Sequence, residues 1–160
     1  MRGMRIRPAS AADVESVRRL VRLAFLPYVA RIGREPVPMT ADYDLVVAQG
    51  RCWVAEDDGP VTGMVQITPG DGYLEVDTIA VAPDVQGRGV GGRLLAFAEE
   101  RAGALGLGEV RLYTNEAMRE NLGYYPRRGF REVGRTTGNG YRRVLFAKRV
   151  RAGGPGRPPD

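Results

Sequence analysis

Polar and apolar residues alternate from Met4 to Arg7 and the pattern stops at Pro8, which predicts a short edge strand. The period then changes. Ser10 with Asp13 reads as an N-cap signature, and Val14, Val17, Leu20, Val21 and Ala24 recur at helical spacing, so a first helix starts near Ala11. Pro27, Gly33, Pro36 and Pro38 break the pattern into an irregular stretch rich in Arg and Tyr, until Thr40 with Asp42 opens a second short helix that runs to Gly50. Three strands in hairpin succession come next: Arg51 to Glu56, Val61 to Thr68 and Tyr73 to Val81, separated by Asp57-Asp58-Gly59 and Gly70-Asp71-Gly72.

After a loop, Leu94, Leu95, Ala98, Ala102 and Leu105 mark a long helix. Glu109 to Thr114 reads as a strand and Glu116 to about Tyr125 as a helix, with Pro126 expected to kink it at Tyr125. Two strands, Arg131 to Thr136 and Tyr141 to Lys148, close the pattern around Gly138-Asn139-Gly140. Residues 1–150 read as one domain, and residues 151–160, too rich in Gly and Pro to pack, as a disordered tail. The order β-α-α-β-β-β-α-β-α-β-β is that of a mixed-sheet α/β domain without internal repeats.

Composition narrows the chemistry. The 160 residues are 43% hydrophobic and 27% charged, with no apolar run of membrane-spanning length and no charged-then-apolar leader, so a soluble, cytoplasmic protein is expected, with no membrane partner. There is no histidine, which removes Ser-His-Asp and Cys-His pairs and every His-containing metal site, and no metal is expected. The single cysteine, Cys52, lies in an apolar run beside Trp53 and reads as an inert buried thiol in a reducing compartment. A net charge of +5 invites a nucleic-acid reading. The bases, all arginine except Lys148, are scattered among 19 acids without interleaved aromatics, so no nucleic-acid partner is expected.

Chemistry enters at Gln86-Gly87-Arg88-Gly89-Val90-Gly91-Gly92, between a strand and the long helix. Unpaired amides at a helix start and the positive end of the helix dipole favour an anion, and the glycines let it approach the backbone. The bland reading is a turn that only eases helix entry. Gly87 to Gly92 also satisfies the dinucleotide fingerprint G-x-G-x-x-G, but five residues separate the strand from the first glycine, and hairpin strands upstream break the βαβ alternation. A P-loop fails because no Gly-Lys-Ser/Thr comes after it.

The segment resembles the acetyl-coenzyme A loop of the GNAT superfamily of N-acetyltransferases, Q/R-x-x-G-x-G/A, with Gln86, Gly89 and Gly91 in register. Ile79-Ala80-Val81-x-Pro83 before the loop, Leu94-Leu95 after it, and Met118-x-x-Asn121-x-x-x-Tyr125-x-x-x-Gly129-Phe130 extend the resemblance over residues 4 to 149. Arg31-x-Gly33-x-x-Pro36-x-Pro38-Met39 and Leu112-Tyr113-Thr114-Asn115 look like a bacterial subgroup of unassigned substrate. The resemblance implies a mostly antiparallel, mixed seven-stranded sheet flanked by about four helices. It also implies transfer of an acetyl group from acetyl-coenzyme A to a primary amine on a small molecule or protein. A GNAT-fold module that binds an acyl-coenzyme A without turnover is the alternative. The oligomeric state is left open, a homodimer included.

Acetyl transfer sets two proton problems. An alkyl amine of pKa ~10.4 is neutral in only about one molecule in 10³ at pH 7, a deficit of roughly 4–5 kcal/mol that a base or desolvation must offset. Tyr73, Glu75, Asp77, Ile79 and Val81 share one face of their strand, and both faces are expected to be covered. Glu75 stands eleven residues before Gln86, the offset at which relatives resembling histone acetyltransferases carry the base, with Asp77 second. Both could instead pair with arginines or serve as plain polar lining. The departing thiolate needs a proton that a phenol can give. The resemblance assigns this to Tyr125, with Tyr124 as a substitute should Pro126 displace it, and assigns Asn121 to the coenzyme.

The resemblance further gives the main chain of Ile79, Ala80 and Val81 to the pantetheine arm, and the stretch Gln86, Gly87, Arg88, Gly89, Val90, Gly91 and Gly92 to the diphosphate. Tyr28, Arg31, Arg34, Met39 and Tyr43 belong to the segment that shapes the acceptor cleft in this superfamily, where two arginines suit an acidic or phosphorylated acceptor or are simply solvated charges on a mobile loop.

Overall fold

The computed structural model describes residues 3 to 151. Seven strands form one mixed sheet in the order β1-β2-β3-β4-β5-β7-β6. They are β1 Met4–Pro8, β2 Cys52–Asp57, β3 Val61–Pro69, β4 Leu74–Val81, β5 Glu109–Asn115, β6 Arg131–Gly138 and β7 Tyr141–Arg149. The α-helical segments are α1 Val14–Phe25, α2 Val29–Ile32, α3 Tyr43–Ala48, α4 Val90–Ala104 and α5 Arg119–Arg127, of which α2 is a single turn. Apart from α2, which the sequence reading did not include, the element order and the seven-stranded sheet are those read from the sequence. The tail expected at 151–160 lies, apart from Arg151, outside the described residues.

The chain divides into two compact units, one made of residues up to Ile67 with Asp77–Ala96, the other of Thr68–Val76 with residues from Phe97 onward. In the first, α1 starts because Asp13 ties down its entrance: its carboxylate accepts from the Ser10 amide at 2.7 Å, completing a capping box, and from Arg7 through two nitrogens at 2.8 and 3.0 Å. Opposite that polar end, Val14, Val17, Leu20 and Val21 are buried and join Tyr43, Val46, Cys52, Val54, Met64 and Ala80 in one core. Each such aliphatic side chain contributes roughly 1.5–3 kcal/mol on burial. Among the described residues β1 pairs only with β2, antiparallel, so Pro8 stands on an edge where its missing N–H breaks no ladder. Gly63 on β3 lets α4 come close: a Cβ built there would lie 2.9 Å from both Val90 Cγ1 and Leu94 Cδ1.

In the second unit β4 joins β5 in parallel through Leu74↔Val110, Glu75↔Arg111 and Val76↔Leu112. The antiparallel run β5-β7-β6 completes the sheet. Leu74, Val76, Val110, Leu112, Val144 and Phe146 alternate inward along these strands and are all buried.

Three expectations need correction. The stretch between α1 and α3 is not irregular: Pro27 and Pro38 each occupy the start of a short 3-10 turn, Leu26–Tyr28 and Val37–Thr40, with α2 between them. Proline suits that place because its fixed φ is helical and its absent N–H has no partner there anyway. Next, α5 begins at Arg119 and not Glu116, because the Asn115 side chain accepts from the Ala117 amide at 2.9 Å and its carbonyl accepts from the Met118 amide at 2.9 Å, holding 115–118 as a turn. Finally, the helix does not end at about Tyr125 but includes Pro126. The helical backbone runs on to Arg127, and Tyr125 O accepts from both Arg128 N (2.9 Å) and Phe130 N (3.1 Å).

Candidate active site

The glycine-rich segment starts where β4 ends. Ala82 N donates to Thr62 O at 2.8 Å, and Pro83–Val85 make one 3-10 turn. Gln86 then folds its side chain back, Nε2 donating to Val81 O at 3.2 Å, so the residue the loop motif begins with ties the loop to the strand. Gly87 and Gly89 both have φ of +85°, and a Cβ at either would meet nothing within 4 Å. Their glycine identity therefore answers to backbone conformation and open space in front of the chain. No amide from Gly87 to Gly92 makes a main-chain hydrogen bond of good geometry among the described residues, whereas Arg93 N closes the first helical bond on Gly89 O at 3.1 Å. Arg88 is exposed, and Val90 is buried at the head of α4. A run of available donors meets the positive end of a 15-residue helix, and these residues fit a diphosphate.

The face of β4 that carries the carboxylates differs from expectation. Leu74, Val76, Thr78 and Ala80 are buried, whereas Glu75, Asp77, Ile79 and Val81 are only half-buried, so one face is covered and the other remains partly open. Ala80 turns its methyl into the core and offers only main chain to a ligand. Both carboxylates have arginine neighbours. Arg51 Nη1 lies 3.9 Å from Asp77 Oδ2. Glu75 is register partner to Arg111, whose guanidinium bonds to Glu109, stacks 4.0 Å above the Tyr73 ring and feels the Glu75 charge.

In the second unit, Tyr125 is half-buried, with its ring 5.8 Å from that of Phe130, 5.7 Å from Phe146 and 5.3 Å from Tyr124. Burial pushes its phenol above the ordinary range, helped by Tyr124, so the group keeps its proton at neutral pH. Tyr124 packs its own ring under Arg128 at 5.1 Å. Asn121 Nδ2 donates to Thr114 Oγ1 at 3.1 Å, which fixes the amide and leaves its oxygen and second N–H for other bonds.

Of the acceptor segment, Tyr28 and Met39 are half-buried, and exposed Arg31 lies 5.1 Å over the Tyr28 ring. Arg34 is exposed. Tyr43 has a different role from the others: it is 2% exposed and donates to Pro38 O at 2.6 Å, pinning the end of that segment to the core. Sequence reading passed over Arg143. It lies with Tyr113, Thr136 and Leu145 around an open cavity of about 290 Å³, and the alternation along β7, which puts 143 and 145 on one face, was the available signal. Among the described residues no group of three or more Cys, Asp and Glu side chains is arranged to hold a metal ion, and no helix is long and apolar enough to cross a membrane.

Residues 17–130 match the model of the acetyltransferase (GNAT) family. An amino-acid acetyltransferase of Ralstonia nicotianae is 35% identical over 120 residues, covering 69% of this chain and 26% of that protein, so the chain spans about a quarter of its relative's length. Among solved structures, the PaiA N-acetyltransferase of Thermoplasma acidophilum in complex with coenzyme A superposes with a TM-score of 0.78 at 19% identity, over 92% of this chain and 99% of that one. The phosphinothricin acetyltransferase of Sinorhizobium meliloti in complex with acetyl-coenzyme A gives 0.71 at 22% identity, over 94% and 90%. These superpositions show a shared fold. More narrowly, the chain belongs to the acetyltransferase (GNAT) family.

Proposed function

We propose that this protein moves the acetyl group of acetyl-coenzyme A onto a primary amine by direct attack of the amine, with no covalent enzyme intermediate, in the cytoplasm. The observation that carries the reading is the run of amides from Gly87 to Gly92 at the start of α4, none of which makes a main-chain hydrogen bond of good geometry among the described residues. Acetyl-coenzyme A supplies the activated thioester. The Gly87–Gly92 amides hold its diphosphate, each charge-assisted bond contributing roughly 1.5–3 kcal/mol, and Arg88 adds positive charge. The main chain of Ile79, Ala80 and Val81 takes the pantetheine arm as an added strand, and one N–H there polarises the thioester carbonyl. Asn121 contributes a further hydrogen bond.

Glu75 takes the proton of the amine through a water, Asp77 being the second candidate, and Tyr125 gives the departing thiolate its proton. Tyr28, Arg31 and Met39 contact the acceptor, a small molecule or a protein amine. A matching fold in proteins solved with coenzyme A and acetyl-coenzyme A supports the choice of donor.

The test is thiol release from acetyl-coenzyme A across an amine panel for the wild type, Glu75→Gln and Tyr125→Phe. Amine-stimulated release that falls at least tenfold in both variants, with coenzyme affinity kept, is expected. Tight coenzyme binding with no release by any amine overturns the reading in favour of an acyl-coenzyme A-binding module.

A further inference from the structure

We infer that the cavity on the β5-β7-β6 face is a carboxylate subsite, with Arg143 as the anion-binding group, and that the acceptor is an amine that also carries a carboxylate. The assignment of an acceptor rests on the proposed acetyl transfer; the subsite itself stands on geometry. Arg143 is half-buried, its guanidinium carbon 5.1 Å from the centre of the Tyr113 ring and 5.3 Å from that of Tyr141. Both rings lie within cation–π range of the guanidinium, whose N–H groups remain its hydrogen-bonding surface. Among the described residues no carboxylate lies within 4.0 Å of Arg143, in contrast with its neighbours: Arg142 reaches Glu116 at 3.9 Å, and Arg135 holds both Glu116 and Glu132 at 3.1 Å. A half-buried cation with no internal counter-charge is built for an anion from outside.

The rest of the cavity says which anion. One arginine stands without an acid, so a single negative charge is matched and a phosphate dianion is not. Thr136 offers a hydroxyl, and Leu145 and the Tyr113 ring offer apolar surface to the body of the ligand. About 290 Å³ suits a small molecule. The register Glu75↔Arg111, Tyr113↔Leu145 and Asn115↔Arg143 sets Glu75 and Arg143 on the same face, two strands and four residues apart, roughly 16 Å between Cα atoms at ordinary strand spacing and rise. Two side chains of this length leave space for one small molecule with its amine toward Glu75 and its carboxylate on Arg143.

Binding is measured first without coenzyme, by calorimetric titration of phenylacetate and phenylacetamide into wild type, Arg143→Gln and Arg143→Lys. Wild type is expected to prefer phenylacetate at least tenfold, Arg143→Gln to lose the preference and Arg143→Lys to keep part of it, with melting temperature and acetyl-coenzyme A affinity unchanged. Equal binding of the two probes by wild type, or a preference that survives in Arg143→Gln, overturns the subsite. The second arm compares acetylation of phenylalanine and phenylalaninamide, with a kcat/KM ratio of at least ten expected to collapse in Arg143→Gln. Phenylacetate preference with no amine acetylated upholds the subsite and overturns acetyl transfer; acetylation of both amines alike, without phenylacetate preference, does the reverse.

Discussion

Tyr125 and Phe130 are joined twice: their rings meet at 5.8 Å with planes 70° apart, and Phe130 N donates to Tyr125 O at 3.1 Å. With Gly129 N on Pro126 O at 3.1 Å and Gly129 at a φ of +91°, this is a Schellman closure complete with its apolar contact. The spacing Tyr-x-x-x-Gly-Phe is therefore a helix stop that also aims the phenol. Tyr125→Phe keeps the packing and is expected to move stability by less than about 1 kcal/mol while kcat falls roughly 10²-fold. Gly129→Ala does the opposite. Left-handed backbone disfavours a Cβ by roughly 1–2 kcal/mol, and that Cβ would meet Lys148 Cε at 3.2 Å, so urea unfolding registers the loss before kinetics does.

At Gly89 conformation and access coincide. Gly89→Ala has open space for its methyl but not the right φ, so stability should drop by roughly 1–2 kcal/mol. If the loop holds a diphosphate, the methyl also stands in front of the donors, and acetyl-coenzyme A affinity falls at least tenfold by titration. Gly72→Ala, at a φ of +81° with nothing within 4 Å, carries the same backbone strain in a hairpin turn and should leave coenzyme affinity unchanged.

Asp13 links pH to stability. Bonds from Arg7 and Ser10 hold its carboxyl well below the usual carboxylate range. A group depressed in the folded state stabilises above its unfolded pKa of about 3.9, and that contribution fades as pH falls below about 4. Asp13→Asn is thus expected to cost on the order of 2 kcal/mol at pH 7, with the gap from wild type closing as the urea series is taken to lower pH.

Cys52 should be silent toward thiol reagents. It is 1% exposed, and burial pushes its thiol up to about 12. Native protein should titrate well under a tenth of an equivalent of thiol at pH 8, in the time that urea-unfolded protein titrates one. Free coenzyme A released in turnover would then be read against a blank background.

Strand and helix identities were legible because each buried stripe keeps its period: Val14, Val17, Leu20 and Val21 on α1, and every second residue from Leu74 to Ala80 on β4. What escaped was set by single polar side chains or carbonyls. The Asn115 turn delays α5, and the closure on Tyr125 O by Arg128 N and Phe130 N ends it beyond Pro126. In the candidate site, the glycine loop stood out by its composition and place before a helix, and Tyr125 by the family resemblance of the motif that carries it. Arg143 did not, since one arginine among 23 is marked only by lacking an acid nearby, which requires the fold.

Gly63 contributes no donor, charge or nucleophile, yet Val90 and Leu94 rest where any larger residue would stand. The seat of α4, and with it the aim of its first amides, is thereby governed from a strand more than twenty positions upstream. Enlarging that glycine would shift the proposed diphosphate cradle without touching it, so a loss of coenzyme affinity is expected from a substitution outside the loop.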